Sequence, residues 1–596
     1  MRKSLLVLFL TLAVGLSACQ KSNDQPSKPD QPQDEPGDKQ DDPSTPDQPG
    51  KDTATYVNVK PIFYDSVKTQ TDMGAFYGQT RKSNGYSWDD PLDYGFVQSV
   101  WHKLTINDVE IPVYSTRCGY GVHSFAYVDI DTDGTFTLNT QVELLDGTAK
   151  QAIILPEKTN VKVTVAASKY YSFSLKDYGD YTLCFGSSTS IKPDKAITIY
   201  IAKETKDVVP QGYNEVTLRP GKYDDDDSTT AFPSLRFTDT HTYYRFKKGH
   251  YDINSIVVPD DSILYFEPGA YLEVRQDNNY SGFGNSGSSM KILGRCIVDF
   301  SHLMGGDAKT KMAFNFNNLS KGAYVEGLIS INSNTWTMCF TNCDNLEIAH
   351  NMLFGYRTYS DGIMLSGCKD CLTHHNFVRT GDDAIEAKAT SARKLDSNNL
   401  IYEYNTVWTD KAKAYGVIYE SNANVTDVKF RHNSIGFAQP DWHYHVGCLE
   451  MQMGTEYTAV WSNVLFEDIE VYYSACTVMN ICNTAVNIFS YGDPAAKNYG
   501  GTIKNIYFKD IRVNRLVTTN DSVPAYMFAI NYVVADGHPE YIDHLKLGKL
   551  YVDNAYLGKT LLTKENYSEF SLINLPEDFV WSTGNLKWNS NPTIDF

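Results

Sequence analysis

The chain has 596 residues, with 42% hydrophobic and 21% charged side chains, long enough for more than one domain with sizeable cores. Its net charge of −19 includes −5 from residues 20–53 and +2 from the first 19, leaving −16 on the remainder. A surface of that sign repels nucleic acid and other polyanions, so nucleic-acid binding is not expected.

"MRKSLLVLFLTLAVGLSAC" carries Arg2 and Lys3, then an apolar run too short to span a bilayer comfortably, which predicts an export signal over residues 1–19. Its end, Leu16-Ser17-Ala18-Cys19, resembles a bacterial lipobox, which implies lipidation at Cys19; the alternative is an ordinary cleaved signal with a chance cysteine. Residues 20–53 hold seven prolines and almost nothing apolar, the composition of a disordered tether. Together these features predict a location in the bacterial cell envelope, with membrane contact only through the lipid; a monomer is expected.

Residues 54–205 contain alternating runs such as "SFAYVDIDT", "FTLNTQVEL" and "AITIYIA" between turn residues, which predicts a β-sandwich. From 206 to 596 a different theme recurs: "NLEIAHNMLFG", "DCLTHHNFVRTG", "NLIYEYNTVWT", "DVKFRHNSIGF". Asn351, Asn376, Asn405 and Asn433 mark it at spacings of 25, 29 and 28, with weaker copies from Asn463, Asn505 and Leu545. A period in the twenties with paired β-runs signals a solenoid whose coils bury their inner faces by stacking. The fold predicted is a right-handed parallel β-helix preceded by an N-terminal β-sandwich, with the asparagines forming a ladder between coils. Ten cysteines follow Cys19; "CKDC" at 368–371 has no zinc-spaced partner pair, so buried thiols are expected.

"TGDDAIEAKA" at 380–389 sets Asp382 beside Asp383, and "TYSDGIML" places Asp361 21 and 22 residues earlier, close to one coil. Three carboxylates would then share one outer wall, since adjacent coils lie about 4.8 Å apart. Such a cluster suits calcium. It also suits acid–base catalysis, in which crowding keeps one carboxyl protonated while its neighbours ionise. Tyr356, Tyr359, Trp408, Tyr415, Tyr419 and Trp442 lie near these residues in sequence and could cover apolar sugar faces. Glu386 and Lys388 alternate after the pair, so that face of the strand is expected to line a cleft, with Lys388 a candidate for touching substrate. Arg357 and Arg379 read as solvated surface residues or partners of the site carboxylates. Trp336, His374, His375, His443 and His445 read as structural.

"SDG" followed one coil later by "GDDAI" resembles the inverting β-helix glycoside hydrolases of family 49 (dextranases, isopullulanases) and, more distantly, family 28 (polygalacturonases). The preceding sandwich, the "DDAI" wording and "NTVW" at 405–408 look more like family 49. The resemblance implies a general acid at Asp382 and a water held and activated by Asp361 and Asp383. It implies no cofactor or metal. Polygalacturonases carry a Gly-His-Gly on the next coil; here "KAYGVIYES" offers Tyr415. Where they carry Arg-Ile-Lys, "GCLEMQMG" offers Glu450 and Gln452 as substrate contacts. Without that basic cluster, a neutral α-linked glucan polymer or oligosaccharide is the expected substrate. Three rivals stay open: a pectin hydrolase, a polysaccharide lyase and a non-catalytic glycan-binding protein.

Overall fold

The computed structural model describes residues 57–64 and 95–574, except 120, 146, 187–194, 224–236, 238, 275–281, 304–311, 358, 390–394, 419–420, 422, 441–445, 455–458, 485–500, 520–524, 534–545 and 549. Cys19, the tether, Tyr419, Trp442, His443 and His445 therefore lie outside the described residues. Among those described, no helix is long and apolar enough to cross a membrane.

Two sheets come first. One runs Phe96–Gln98, Tyr114–Cys118, Gly121–Ile130, Ala196–Lys203, Gly179–Gly186, Gln151–Leu155, with Val59–Pro61 paired onto Gly121–Ile130. The other runs Val109–Ile111, His102–Ile106, Leu138–Leu144, Tyr170–Leu175, Thr164–Ala166. Alternation does the work: Leu138, Val142, Leu144, Tyr171, Phe173 and Leu175 turn inward against Ile197, Ile199 and Ile201, while Asn139, Gln141 and Ser174 face water. This is a sandwich with one apolar core.

From Asn214 onward the chain winds into a parallel β-helix. Each central coil contributes three strands. Ile363–Ser366, Lys369–His374 and Phe377–Thr380 make one; Ile385–Lys388, Ser397–Glu403 and Thr406–Thr409 make the next; Tyr415–Val417, Val425–Arg431 and Ser434–Ala438 the one after. The first strands of successive coils stack into an eleven-stranded wall, and the second and third strands join a twenty-two-stranded sheet that bends around the core. Inside, Ile363, Leu365, Ile385, Ala387, Tyr415, Val417, Leu449 and Met451 form part of a continuous apolar column.

The asparagine ladder forms as expected from the repeat. Asn351, Asn376, Asn405 and Asn433 are buried. Each Oδ1 accepts the backbone N–H of the residue one coil back: Asn376 to Asn351 at 3.0 Å, Asn405 to Asn376 at 3.0 Å, Asn433 to Asn405 at 2.8 Å. Each Nδ2 donates to a carbonyl of the preceding coil, such as Thr373 from Asn405 at 2.9 Å. A buried corner without such partners would leave backbone groups unpaired. The weaker copies do not extend this ladder. Asn463 and Asn505 sit at an exposed corner with φ of 58° and 56°, where Asn505 donates to Asn463 and Asn463 to Asp427, each at 3.0 Å. Asn tolerates that left-handed backbone, which explains why the same residue type recurs in a second register.

The sandwich covers the wall formed by the third strands. Phe125, Tyr127 and Tyr200 meet Ile329, Phe354, Phe377 and Trp408 in a shared apolar layer. A buried ion pair crosses it: Arg379 donates to both oxygens of Asp410 at 3.1 and 3.2 Å, and Asp410 also accepts the Gly119 N–H at 2.9 Å. The ten cysteines after Cys19 are buried thiols.

Candidate active site

Among the described residues, the eleven-stranded wall gathers the sequence-predicted carboxylates. Ile363 pairs with Ile385 and Ser366 with Lys388, so Asp361 and Asp383, two residues before these strands, share a register position. The 22-residue spacing is thus the structural one, and Asp382 lies one position off it. Backbone bonds fix the column: Thr337 N–H donates to the Asp361 carbonyl, Gly362 N–H to that of Asp383, and Ala384 N–H to that of Lys413. Along the strands, Glu386 and Lys388 point outward while Ile385 and Ala387 point into the core. Continuing outward across coils, Glu386 aligns with Gly416, Glu450 and Asn480.

Asp361 and Asp383 are 4% and 5% exposed, Glu386 not at all, and Asp382 is half-buried. Oxygens of Asp361, Asp383 and Glu386 come within 4.8 Å of one another. That many carboxylates cannot all ionise without a counter-charge, and two lysines provide it. Lys388 Nζ stands 3.0 Å from Glu386 and 4.0 Å from Asp361, and 4.9 Å over the ring of Trp336. Lys413 Nζ stands 3.3 Å from Asp383 Oδ1, and its backbone N–H donates to the same oxygen at 3.1 Å. Asp382 Oδ1 accepts the Asp383 N–H at 3.0 Å. Burial, then the charge of Asp383, pushes the Asp382 carboxyl up to about 7, against the pull of Lys413. Burial, then Asp382 and Glu386, pushes Asp361 well above the ordinary range. Asp361 Oδ1 is buried without a hydrogen-bond partner among the described residues. Burial raises Glu450 to about 8, again against Lys413; both its oxygens accept from Asn480 Nδ2 at 3.0 Å.

The structure brings Asp361, Asp382, Asp383, Lys388 and Glu450 to one wall, with Gln452 two residues further along it and Tyr359 half-exposed two residues before Asp361. Three aromatic expectations are corrected. Tyr415 points into the helix core, its hydroxyl donating to the carbonyls of Asn405 and Ser434. Trp408 is buried under the sandwich, stacked with the Arg379 guanidinium, because third-wall strands face that domain. Its indole is packed so closely over Gly436 that a Cβ there would lie 2.0 Å from Nε1. Tyr356 is also buried, beneath the Arg117 guanidinium of the sandwich at 4.6 Å. Arg357 and Arg379 are buried rather than solvated. Arg357 donates to the carbonyls of Phe300, Ser301 and Asn332, and Arg379 belongs to the sandwich interface. His374 and His375 lie at another corner, where His350, His375, Tyr404 and His432 stack ring on ring. Nitrogens of His350, His374 and His375 come within 4.8 Å of one another, with His374 Nδ1 2.8 Å from His375 Nδ1.

Sequence reasoning missed Lys413 and the exposed role of Trp336. Lys413 holds the register position after Asp383, 30 residues on rather than 22. The longer coil hid it, and drew attention to Tyr415 two residues later. Trp336, half-exposed, offers a ring beside Lys388.

No protein-family model matches the chain, and no curated protein matches it. Among solved structures it is similar to Dex49A from Penicillium minioluteum, at 12% identity and a TM-score of 0.57 over 88% of this chain and 98% of that one. It also matches the family 28 exopolygalacturonase of Yersinia enterocolitica, at 12% identity and 0.42 over 74% and 97%. A third match is the catalytic domain of a family 87 α-1,3-glucanase, at 10% identity and 0.33 over 83% and 95%. The likeness to Dex49A shows a shared fold along nearly the whole of that chain.

Proposed function

We propose that this chain is an inverting glycoside hydrolase acting on a neutral, α-linked polysaccharide or oligosaccharide, with dextran-like glucans the first candidates. The observation that supports it most is the alignment of Asp361 with Asp383 on adjacent coils, with the proton-retaining Asp382 beside them. In this reading Asp382, half-buried and holding its proton near neutral pH, protonates the leaving glycosidic oxygen. Asp383, salt-bridged to Lys413, takes a proton from the attacking water, and the unpartnered Oδ1 of Asp361 holds that water. Single displacement of this kind inverts the anomeric centre. The resemblance to families 49 and 28 and the Dex49A-like fold point the same way.

How the local charges are paired supports a neutral substrate. Asp361, Asp382, Asp383, Glu386 and Glu450 face two lysines, each already engaged with carboxylates. A uronate entering here would have to displace Glu386 from Lys388 or Asp383 from Lys413 to find a counter-charge, whereas a neutral sugar would not. Trp336 and Tyr359 offer rings for uncharged sugar faces. The test is a panel of dextran, pullulan, other α-glucans and polygalacturonate, scored for released reducing sugar with Asp382→Asn as control. Proton NMR of the first products would show the β-anomer; an initial α-anomer would refute inversion.

A second reading draws on the same lysines. An ammonium beside carboxylates also suits β-elimination of a uronate by a lyase, which would release unsaturated products absorbing in the ultraviolet. Their appearance from polygalacturonate would replace the hydrolase reading. The Cys19 lipobox and the tether would hold the enzyme at a membrane surface in the cell envelope; loss of acyl labelling in Cys19→Ser tests that part.

A further inference from the structure

We propose that Lys413 is a positioning residue of the acid–base site: its ammonium, clamped on Asp383, sets which of the clustered carboxyls keeps its proton. The inference rests on the acid–base reading above and deepens it. Lys413 reaches Asp383 twice. The backbone N–H donates to Oδ1 at 3.1 Å, and Nζ lies 3.3 Å from Oδ1 and 3.4 Å from Oδ2. The backbone bond is fixed by coil register, because the Lys413 carbonyl in turn accepts the Ala384 N–H. The carboxylate therefore cannot rotate away without giving up the Lys413 N–H. Lys413 is only 4% exposed, so its charge is poorly screened by water.

Among the described residues, the charged groups around it lie on four consecutive coils of the wall, its own included. Asp361, with Lys388 and Glu386, faces the cluster from the coils before. Asp382 and Asp383 stand directly beside Lys413. Glu450 stands on the coil after, held by Asn480. Asp410, on the same segment as Lys413, is committed to Arg379 and the Gly119 N–H. Gly416 interrupts the outward column between Glu386 and Glu450. A Cβ at that position would lie 2.5 Å from the Glu450 carbonyl oxygen. The ammonium thus sits between two acids whose carboxyls burial pushes up, and it pulls both back. Without it, Asp382 would hold its proton more tightly and part with it less readily to a leaving oxygen, while Asp383 would lose its orienting partner.

The experiment needs no substrate. Difference infrared spectra of wild type minus Asp382→Asn isolate the C=O stretch of the protonated Asp382 carboxyl, and its disappearance with rising pH gives a midpoint. The same subtraction is made in Lys413→Met and Lys413→Arg backgrounds, with thermal melts confirming the fold. Removing a cation within reach of a carboxyl raises its midpoint by about one pH unit or more. Lys413→Met is expected to show that rise, and Lys413→Arg to stay near wild type. If Lys413→Met is unstable, Lys413→Gln is read in the same way. An unchanged midpoint in a folded, charge-neutral variant overturns the proposal, as does an equal rise in Lys413→Arg. On a glycan the enzyme cleaves, the alkaline limb of kcat/KM should move up with the midpoint. Failure to cleave any glycan would sink the hydrolase reading and leave the infrared result to decide the role of Lys413 on its own.

Discussion

Replacing Glu450 with Gln should invert the usual effect of a core substitution as the pH is raised. The carboxyl of Glu450 is fully buried and rises from 4.5 to about 8. A group raised in the folded state contributes stability that is complete below its unfolded value and is lost as pH climbs through the folded one. Between 4.5 and about 8 the shift spans some 3.5 units, or on the order of 5 kcal/mol once Glu450 is fully ionised. Water entry makes that an upper value. Gln has no charge to desolvate, so this slope disappears. It does forfeit one favourable contact, since Asn480 Nδ2 now donates to both carboxyl oxygens and an amide offers only one acceptor. That loss is about 1 kcal/mol. The variant should therefore melt slightly below wild type at pH 5 and above it at pH 9, with the curves crossing between. Calorimetric scans at closely spaced pH values would show the crossing. Parallel curves for the two proteins over that range would mean that Glu450 is not carrying a buried proton, and the electrostatic account of the wall would fail with it.

Asp382→Asn should keep the fold and lower turnover on the best glycan by about 10²–10⁴-fold, the usual worth of a general acid; near-normal kcat would move the acid elsewhere. Arg379→Met leaves Asp410 buried without its main partner, costing about 3–5 kcal/mol in urea unfolding, and Arg379→Met with Asp410→Leu should recover part of it. Asn405→Ala removes the acceptor for the Asn376 N–H and the donor to the Thr373 carbonyl. At about 1–3 kcal/mol for each buried group left unpaired, it should lower the melting temperature clearly, whereas Asn463→Gly, which keeps the left-handed backbone of the exposed corner, should change it little.

The parts of this architecture that repeat could be read from the chain. Asn351, Asn376, Asn405 and Asn433 recur because each must satisfy the coil before it, so periodicity and hydrogen bonding are the same fact seen twice. Asp361 and Asp383 were legible for that reason: a spacing of 22 fits one coil without insertion. Glu386 and Lys388 followed from strand alternation. Legibility ended where a second body intervened. Trp408, Tyr356 and Arg379 look like cleft residues by sequence distance, but the sandwich lies across their side of the coils, and nothing local to those residues announces it. Tyr415 failed for another reason. An inward and an outward position differ by one residue, and a coil of uncertain length does not say which is which. Lys413 was lost to the same uncertainty.

The coils of the wall are unequal, yet their pairing is not. From Ile363 to Ile385 is 22 residues, from Ile385 to Tyr415 is 30, and from Tyr415 to Leu449 is 34, while each step remains one strand across. Extra chain is taken up away from the paired segments, so the bench on which the acids sit is indifferent to how much sequence is spliced between one rung and the next. A lineage could lengthen, shorten or exchange those intervening stretches without moving a carboxylate. The rungs and what hangs between them would then be free to change independently.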